Sequence, residues 1–337
     1  MVFMKIAIVK LSALGDIVHS MIVLQFIKKH NKEILIDWFV EESYKELLEI
    51  HPDINKVHFV NIKQAKKKKS IFILQKEFEK VRKLDSYDLV IDMQGLVKSA
   101  IISKLIPSKI TIGFDKISVR ERFASIFYNK TFTFNYDKNI ILRNVELINF
   151  ALNLNIGKHQ IDKKTPFLYA AIKYINTDLS NFKKNILIIP GASFKAKIYS
   201  SNKYAEIANN VDANFLVLWG NSNEKNIADE IKAKAPHVNI VEKLSLGSLI
   251  SLISQVHLVI GSDTGPSHMA WGLNIPSILL FGPTPAYRNS YKTLTNQFIE
   301  SNSKVNPFKI NKTDFSIKEI QVDDIVKMIH DFLRDIK

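Results

Sequence analysis

Cysteine is absent from this 337-residue chain, which excludes disulfides and cysteine-ligated metal sites. No apolar run approaches the roughly 20 residues that a membrane-spanning helix needs, so the sequence does not predict an integral membrane protein. The N-terminal segment also lacks the basic start, apolar stretch and cleavage site of a secretory signal. Together these absences predict a cytoplasmic protein.

Glycine is scarce, with 11 residues, and none forms a dinucleotide-binding Gly-x-Gly-x-x-Gly fingerprint or a Walker phosphate loop. This absence disfavours a nucleotide-sugar epimerase or dehydrogenase. No spacing of His, Asp and Glu forms a convincing ligand set either. The sequence therefore predicts metal-independent chemistry with no cofactor.

Acidic residues are outnumbered: 33 Asp and Glu stand against 47 Lys and Arg, a formal net charge of +14. Much of the excess is local, in a segment interpreted as a loop (residues 61–70) that contains the lysine tract Lys66, Lys67, Lys68 and Lys69. Such a tract attracts nucleic acid, anionic phospholipid or a phosphorylated substrate, or is only a solvated loop. Charge alone does not choose among these alternatives.

Strand and helix patterns alternate along both halves of the chain. Short apolar segments typical of buried parallel strands fall at residues 5–9, 34–40, 57–60, 88–92, 111–113, 185–189, 215–218, 239–241, 258–260 and 277–280. Helical patterns fall at residues 17–29, 44–50, 71–84, 120–128, 144–152, 203–210, 224–235, 246–254 and 267–273. This repeated βαβ order predicts an α/β protein with two Rossmann-like, doubly wound domains that face a central cleft.

A polar stretch at residues 155–164 is the predicted linker between the two domains. The expected organisation is an N-terminal domain over residues 1–160 and a C-terminal domain over residues 161–320. Residues 321–337 contain an amphipathic helix that is expected to pack on a domain surface.

Two turns that combine small residues with an acid follow predicted strands, one in each half. The first contains Ser12, Gly15 and Asp16. Parallel sheets bind ligands at the carboxyl ends of their strands, so Asp16 is placed to act as a general base. The alternative is that Asp16 only caps the following helix or complements its dipole.

The second turn contains Asp263, Thr264, Gly265 and His268, with Pro266 expected at the first helical position. A hydroxyl and free amides at a helix start are typical of an anion site, so diphosphate oxygens are the predicted ligands of Thr264 and Gly265. Asp263 or His268 would then contact sugar hydroxyls. A purely structural cap, and a histidine that is merely satisfied in the core, remain the alternatives.

Other turns lie on the same predicted edges. In the second half, Ser193 and Lys197 follow one strand, and Trp219, Gly220 and Glu224 follow the next. Lys197 could neutralise a leaving diphosphate, and Glu224 could contact a ribose or base. The alternatives are that Lys197 is only a solvated lysine and that Glu224 is only a first-turn acid that complements the helix dipole. In the first half, Gln94 and Lys98 occupy the corresponding place.

Several of these motifs, in register over nearly the whole chain, resemble the ADP-heptose:lipopolysaccharide heptosyltransferases, which have the glycosyltransferase B fold. The matching segments are VKLSALGDIVH (9–19), DMQGLVKS (92–99), RERFASIFYN (120–129), WGNSNE (219–224), SDTGPSH (262–268) and FGPT (281–284). Those at 92–99 and 120–129 look like the heptosyltransferase I branch. The residues around Lys197 depart from the more acidic, tryptophan-containing segment of the family.

The resemblance implies inverting transfer of L-glycero-D-manno-heptose from ADP-heptose to Kdo of Kdo-lipid A. It implies that Asp16 is the base and Lys197 a catalytic and donor-phosphate residue, and that Thr264 and Gly265 bind the diphosphate. Glu224 and Asp263 would be donor-contacting acids. Ser193, Trp219, Gly220 and His268 complete the expected donor side.

The same resemblance implies that the excess positive charge binds an anionic, membrane-bound acceptor and not nucleic acid. The expected acceptor side comprises Ser12, Gly15, Gln94, Lys98, Arg120 and the lysine tract, with peripheral contact to anionic lipid of the inner membrane. The alternatives are heptosyltransferase II, or another member of the family that acts on a heptosylated core. A more distant one is a basic RNA- or membrane-binding module.

Overall fold

The computed structural model describes residues 4–171, 173–174 and 178–335. The chain divides into two compact units between Phe167 and Leu168. Among the described residues, no helix is both long and apolar enough to cross a membrane.

Unit 1 is a six-stranded parallel sheet with helices on its faces. Its strands are β1 (Lys5–Val9), β2 (Leu35–Glu41), β3 (Lys56–Val60), β4 (Tyr87–Asp92), β5 (Ser108–Phe114) and β6 (Lys130–Phe132). Its helices are α1 (Leu14–His30), α2 (Ile62–Lys68), α3 (Ile71–Arg82), α4 (Val97–Leu105), α5 (Ile140–Leu152) and α6 (Lys158–Asp162), with 3₁₀ turns at Glu42–Leu47 and Arg122–Phe127. The strand order is β3-β2-β1-β4-β5-β6.

Unit 2 repeats this architecture. Its strands are β7 (Asn185–Ile189), β8 (Asn214–Val217), β9 (Asn239–Ile240), β10 (Leu258–Ser262), β11 (Ser277–Phe281) and β12 (Asn296–Glu300). Its helices are α7 (Ser201–Asn210), α8 (Ser222–Lys234), α9 (Leu246–Ile253), α10 (Gly265–Gly272), α11 (Ala286–Asn289) and α12 (Val322–Asp335), with 3₁₀ turns at Lys195–Lys197 and Ser316–Glu319. The order β12-β11-β10-β7-β8-β9 is all parallel.

The strand order reverses direction at one place in each sheet, between β1 and β4 in unit 1 and between β7 and β10 in unit 2. Both sheets thus have the doubly wound order in which ligands bind outside the carboxyl ends of the strands at this switch point. The prediction of two doubly wound α/β domains is confirmed. The turns singled out from the sequence follow these central strands.

Burial explains why the central strands form. Residues 6–9 of β1 and 186–188 of β7 have no solvent exposure, as expected for strands covered by helices on both faces. The C-terminal helix α12 packs against α7 and adds Ile325 and Ile329 to the buried core of unit 2. This is the amphipathic segment expected from the spacing of its apolar residues.

Several local predictions were wrong. The lysine tract is not a loop, because Lys66, Lys67 and Lys68 end helix α2 and Lys69 is its left-handed C-cap at φ 48°. The helix expected over residues 120–128 is only the 3₁₀ turn Arg122–Phe127. The stretch expected as a linker contains α6, where Ile161 is buried. Strands β6 and β12 were not predicted, since their short or polar sequences carry little apolar signal.

Candidate functional site

The switch point of unit 1 is held together by Gln94, which follows β4. Its Oε1 accepts hydrogen bonds from the backbone N–H of Leu11 at 2.7 Å and of Ser12 at 3.3 Å. Its Nε2 donates to Ser12 Oγ at 3.4 Å. The turns after β1 and β4 therefore form one structure, and the predicted residues Ser12 and Gln94 are in direct contact.

Asp92 at the end of β4 fixes the turn that carries Gln94. It is fully buried, and its Oδ1 accepts from the N–H groups of Gln94 at 2.8 Å and Gly95 at 3.1 Å, while Oδ2 accepts from the Tyr128 hydroxyl at 2.8 Å. Burial raises the pKa of Asp92, although these hydrogen bonds oppose the rise. Gly95 adopts φ +67°, where a side chain is strained. Asp92 is a positioning residue that sequence patterns alone did not assign.

Asp16 lies in the first turn of α1, which begins at Leu14, three residues before the predicted start. One oxygen, Oδ2, accepts a hydrogen bond from the N–H of Ala13 at 3.3 Å, so Asp16 does complete the helix N-terminus. The side chain is partly exposed, and within the described part of the chain its Oδ1 has no hydrogen-bond partner. The cap therefore leaves one carboxylate oxygen available. Gly15 precedes Asp16 in the same turn.

Lys98, near the start of α4, donates to Ser12 Oγ at 2.8 Å. Burial lowers the pKa of Lys98, and the nearby carboxylate of Glu41 opposes this shift. Glu41 ends β2, is almost fully buried, and accepts the N–H of Lys63 with both oxygens at 3.1 and 3.2 Å. It thus caps α2, and burial raises its pKa. Glu41 was missed because its partner lies on another element.

The remaining predicted acceptor residues are on the surface. Lys66, Lys67, Lys68, Lys69 and Arg120 are all exposed. The positive charge of Lys66 contributes to lowering the pKa of Lys98, so the first lysine of the tract is near the switch point. Glu121, the neighbour of Arg120, accepts the N–H of Val97 at 2.8 Å, which anchors that segment to the start of α4.

The switch point of unit 2 is centred on Asp263, which follows β10 and is buried. Lys197 Nζ lies 3.0 Å from Asp263 Oδ2, His268 Nε2 lies 2.9 Å from Oδ1, and Asn289 Nδ2 donates to Oδ2 at 3.2 Å. Burial alone would raise the pKa of Asp263, but Lys197 and His268 outweigh it and hold that pKa well below its usual range. The structure thus brings together three predicted residues and adds Asn289 from α11, for which the sequence carried no signal.

Thr264 is the N-cap of α10, and its Oγ1 lies 3.1 Å from Ser267 Oγ. The helix begins at Gly265, so Pro266 occupies the second helical position and not the first as predicted. A proline there is tolerated because the first N–H groups of a helix have no intrahelical partner. Gly261 allows close packing below this turn, since a Cβ on it would lie 2.7 Å from Ser267 Oγ. The arrangement is suited to binding an anion.

Glu224 lies across the turns after β7 and β8. Its Oε2 accepts the N–H of Gly220 at 2.7 Å, and its carboxyl group covers Gly191, where a Cβ would come within 2.4 Å of Glu224 Cδ. Trp219 donates from Nε1 to Val241 O at 2.7 Å and so supports the same edge. Ser193 is exposed on the β7 turn. Every predicted donor residue therefore follows a strand of this sheet.

Across the residues that the structure describes, no three His, Asp or Glu side chains converge in a way that could hold a metal ion. Metal independence stays a prediction, to be tested with a chelator.

Comparison with known proteins assigns the family. Residues 76–314 match the family model of glycosyltransferase family 9 (heptosyltransferase). The chain belongs to this family. It is therefore a glycosyltransferase, and a non-enzymatic RNA- or membrane-binding module is not supported.

Curated members of glycosyltransferase family 9 align over most of the chain. Lipopolysaccharide heptosyltransferase 1 of Campylobacter coli is 39% identical, covering 98% of this chain and 100% of that protein. Lipopolysaccharide heptosyltransferase 1 of Escherichia coli K12 is 28% identical, covering 83% and 88%. The solved E. coli heptosyltransferase WaaC with ADP-2-deoxy-2-fluoro heptose superposes with a TM-score of 0.79 at 23% identity, over 97% of this chain and 99% of that one. This likeness confirms the glycosyltransferase B fold.

Proposed function

We propose that this family 9 glycosyltransferase is a heptosyltransferase I, which transfers L-glycero-D-manno-heptose from ADP-heptose to Kdo of Kdo-lipid A with inversion and without a metal ion. The observation that carries the proposal is the available carboxylate oxygen of Asp16 at the switch point of unit 1. Resemblance to lipopolysaccharide heptosyltransferase 1 of Campylobacter coli over 98% of the chain supports the choice of branch.

In the proposed reaction, Asp16 accepts the proton of the attacking acceptor hydroxyl. The hydroxyl oxygen forms the new bond to the anomeric carbon, the bond from that carbon to the diphosphate oxygen breaks, and ADP leaves with the electron pair. The amides after Thr264 and the ammonium of Lys197 stabilise the charge that develops on the diphosphate. Lys197 has three N–H donors, so pairing with Asp263 leaves it able to donate to phosphate.

Ser12, Gln94, Lys98 and Arg120 are proposed to bind the acceptor, because a Kdo carboxylate and lipid A phosphates need cationic and hydroxyl partners. On the donor side, Glu224 is proposed to accept hydrogen bonds from the ribose, with Trp219, Gly220 and Ser193 around it. Asp263 and His268 organise the diphosphate turn and face the sugar. We place the enzyme in the cytoplasm, in peripheral contact with the inner membrane.

The experiment that tests this function is transfer from ADP-heptose to purified Kdo-lipid A, with EDTA present, followed by the mass of the lipid. A gain of one heptose supports the proposal, including metal independence. A gain that needs added divalent cation contradicts the metal-independent part. No gain with Kdo-lipid A, together with a gain on heptosylated core lipid, would instead assign heptosyltransferase II or a related acceptor specificity.

Neutralising the lysine tract should separate acceptor binding from donor binding. We expect replacement of Lys66, Lys67, Lys68 and Lys69 by glutamine to raise the acceptor KM about tenfold or more, because several phosphate-facing charges are lost. ADP affinity should change less than about twofold, since the tract belongs to unit 1. Unchanged acceptor KM would reject the tract as part of the acceptor site. Glutamine replacement of Lys183 and Lys184, which are outside unit 1, is the control.

Glu224→Gln should weaken ADP binding about tenfold, because a hydrogen bond to a charged group contributes about 1.5–3 kcal/mol. Calorimetric titration of ADP measures it. Gly191→Ala is expected to have a similar effect, since its Cβ would displace the Glu224 carboxyl group. Wild-type ADP affinity in both variants would remove Glu224 from the donor site.

A further inference from the structure

Four large apolar side chains of unit 1 are largely exposed and occur in two pairs. Ile71 is 71% exposed and Phe72 83% exposed at the start of α3, and Phe123 is 76% and Ile126 72% exposed in the 3₁₀ turn Arg122–Phe127. A single exposed apolar residue is normal on a soluble protein. Four that occur in two pairs on one unit indicate an interaction surface.

The topology places both pairs on the same side of the sheet. The chain crosses from β3 to β4 through α2 and α3, from β4 to β5 through α4, and from β5 to β6 through the 3₁₀ turn, each time in the same direction along the strand order. Right-handed crossovers that move in one direction lie on one face. Packing of α4 against both α3 and the 3₁₀ turn agrees with this placement. The two pairs therefore flank α4.

Both pairs also lie toward the carboxyl ends of the strands, where the proposed acceptor residues are. Helix α3 starts after β3 and leads back to the amino end of β4. Ile71 and Phe72 are at the start of α3, which is therefore the end of the helix nearer to the carboxyl ends of the strands. The contact of Glu121 with the N–H of Val97 fixes the segment that leads into Phe123 to the start of α4. Lys98 is the next residue of α4, and it is near enough to Glu121 and Lys66 for their charges to shift its pKa in opposite directions.

Each apolar pair is bordered by cations. The lysine tract ends two residues before Ile71, and Arg120 and Arg122 precede Phe123. A protein interface is depleted of lysine at its core, whereas apolar side chains bordered by Lys and Arg suit the boundary between acidic headgroups and acyl chains. The charge pattern therefore favours lipid over a protein partner.

We propose that Ile71, Phe72, Phe123 and Ile126, with the adjoining lysine tract, Arg120 and Arg122, form a basic–apolar surface that inserts into an anionic phospholipid leaflet beside the acceptor site. The inference deepens the proposed function, because a lipid-anchored acceptor has its sugar close to that leaflet. The cations bind headgroups, and the apolar side chains enter the acyl region. Neither alone gives stable attachment, since interfacial binding scales with both buried apolar area and charge.

The test uses vesicles of phosphatidylglycerol and phosphatidylethanolamine that contain no acceptor, with binding measured by flotation. The double variant Phe72→Ser/Phe123→Ser should bind at least about tenfold more weakly than wild type. The matched control is Phe182→Ser/Leu294→Ser in unit 2, where the native side chains are 98% and 92% exposed. The control should bind within about twofold of wild type. Equal loss in both variants, or no loss in either, overturns the proposal.

A second measurement reports insertion directly. A tryptophan placed at position 72 by Phe72→Trp should be quenched by lipids brominated on their acyl chains, whereas one placed by Phe182→Trp should not. Lack of quenching in the first variant rejects insertion even if the protein binds the vesicles.

Failure of this inference is distinguishable from failure of the proposed function. Transfer to a water-soluble acceptor without acyl chains should proceed at the wild-type rate in Phe72→Ser/Phe123→Ser, because neither phenylalanine contacts the proposed reacting groups. A lowered rate there would contradict a purely lipid-binding role. Absence of transfer by the wild type would reject the proposed function. The vesicle experiment would still report whether the surface binds lipid, because it contains no acceptor.

Discussion

Asp16→Asn is expected to lower kcat for heptose transfer by about 10²–10⁴-fold, the usual contribution of a general base. The variant should fold normally, because the asparagine oxygen can still accept the hydrogen bond from the N–H of Ala13. Asparagine cannot accept the proton of the acceptor hydroxyl, so only the chemical step suffers. ADP affinity should remain within about twofold of wild type, since the donor residues belong to unit 2.

The measurement is single-turnover transfer to Kdo-lipid A, with calorimetric titration of ADP on the same preparations. Asp324→Asn provides the matched control, because Asp324 is also an acid in the first turn of a helix, but outside the proposed site. Its kcat should equal that of wild type. Turnover close to wild type in Asp16→Asn would remove Asp16 from the role of base and leave it as a helix cap.

The central strands and the turns after them were predictable because one physical rule governs both. A parallel strand covered on both faces has to be apolar along its length, so β1, β4, β7 and β10 are visible as short apolar runs. Residues in the turn that follows such a strand lie at the binding edge of the sheet. Asp16 and Asp263 were found in this way, without knowledge of their partners.

The partners themselves were not predictable, because they come from other elements. Asn289 reaches Asp263 from α11, and Tyr128 reaches Asp92 from the segment after β5. No local pattern marks such pairs. They arise when the sheet order places distant turns side by side, and buried polar groups then need hydrogen bonds.

Helix α2 shows that secondary structure, too, can depend on a partner from another element that local sequence does not reveal. The segment was predicted to be a loop. Its lysines give no apolar periodicity, and their like charges disfavour a helix, so the local sequence does not indicate one. In the structure the carboxylate of Glu41, at the end of β2, accepts the N–H of Lys63 and completes the N-terminus of α2. The charged cap favours the helix through its dipole. Tertiary contact therefore decides a conformation that local sequence leaves open.

Asp263→Asn should reduce the free energy of unfolding of unit 2 by about 3–5 kcal/mol, the usual cost of removing one partner of a buried ion pair. Lys197 is buried with its ammonium 3.0 Å from the carboxylate, and His268 contacts the other oxygen. Without the negative charge, the buried ammonium of Lys197 is left uncompensated. Urea unfolding measures the loss. Asp212→Asn is the control, because Asp212 pairs with Lys183 on the surface, where ion pairs contribute at most about 1 kcal/mol.

The pH dependence gives a second readout of the same carboxylate. The folded pKa of Asp263 lies well below 3.8, so its stabilisation is present above the unfolded value and is lost as pH falls through the folded value. Wild-type stability should therefore fall more steeply than that of Asp263→Asn as pH decreases below about 4. Parallel pH profiles for the two proteins would show that Asp263 has no depressed pKa in the folded state.

Removing both charges should restore part of the stability lost by removing one. In Asp263→Asn/Lys197→Met no unpaired cation remains at that position, so the double variant should be more stable than Asp263→Asn alone. The same variant should still be poor in transfer, because the proposed diphosphate ligand Lys197 is gone. Recovery of stability without recovery of kcat would separate two roles of Lys197. One is to neutralise Asp263 in the enzyme without substrate, and the other is to stabilise the departing diphosphate. Equal stability of the two variants would mean that the buried ammonium of Lys197 finds another partner in Asp263→Asn. The ion pair between Lys197 and Asp263 would then not account for the stability of the turn after β10.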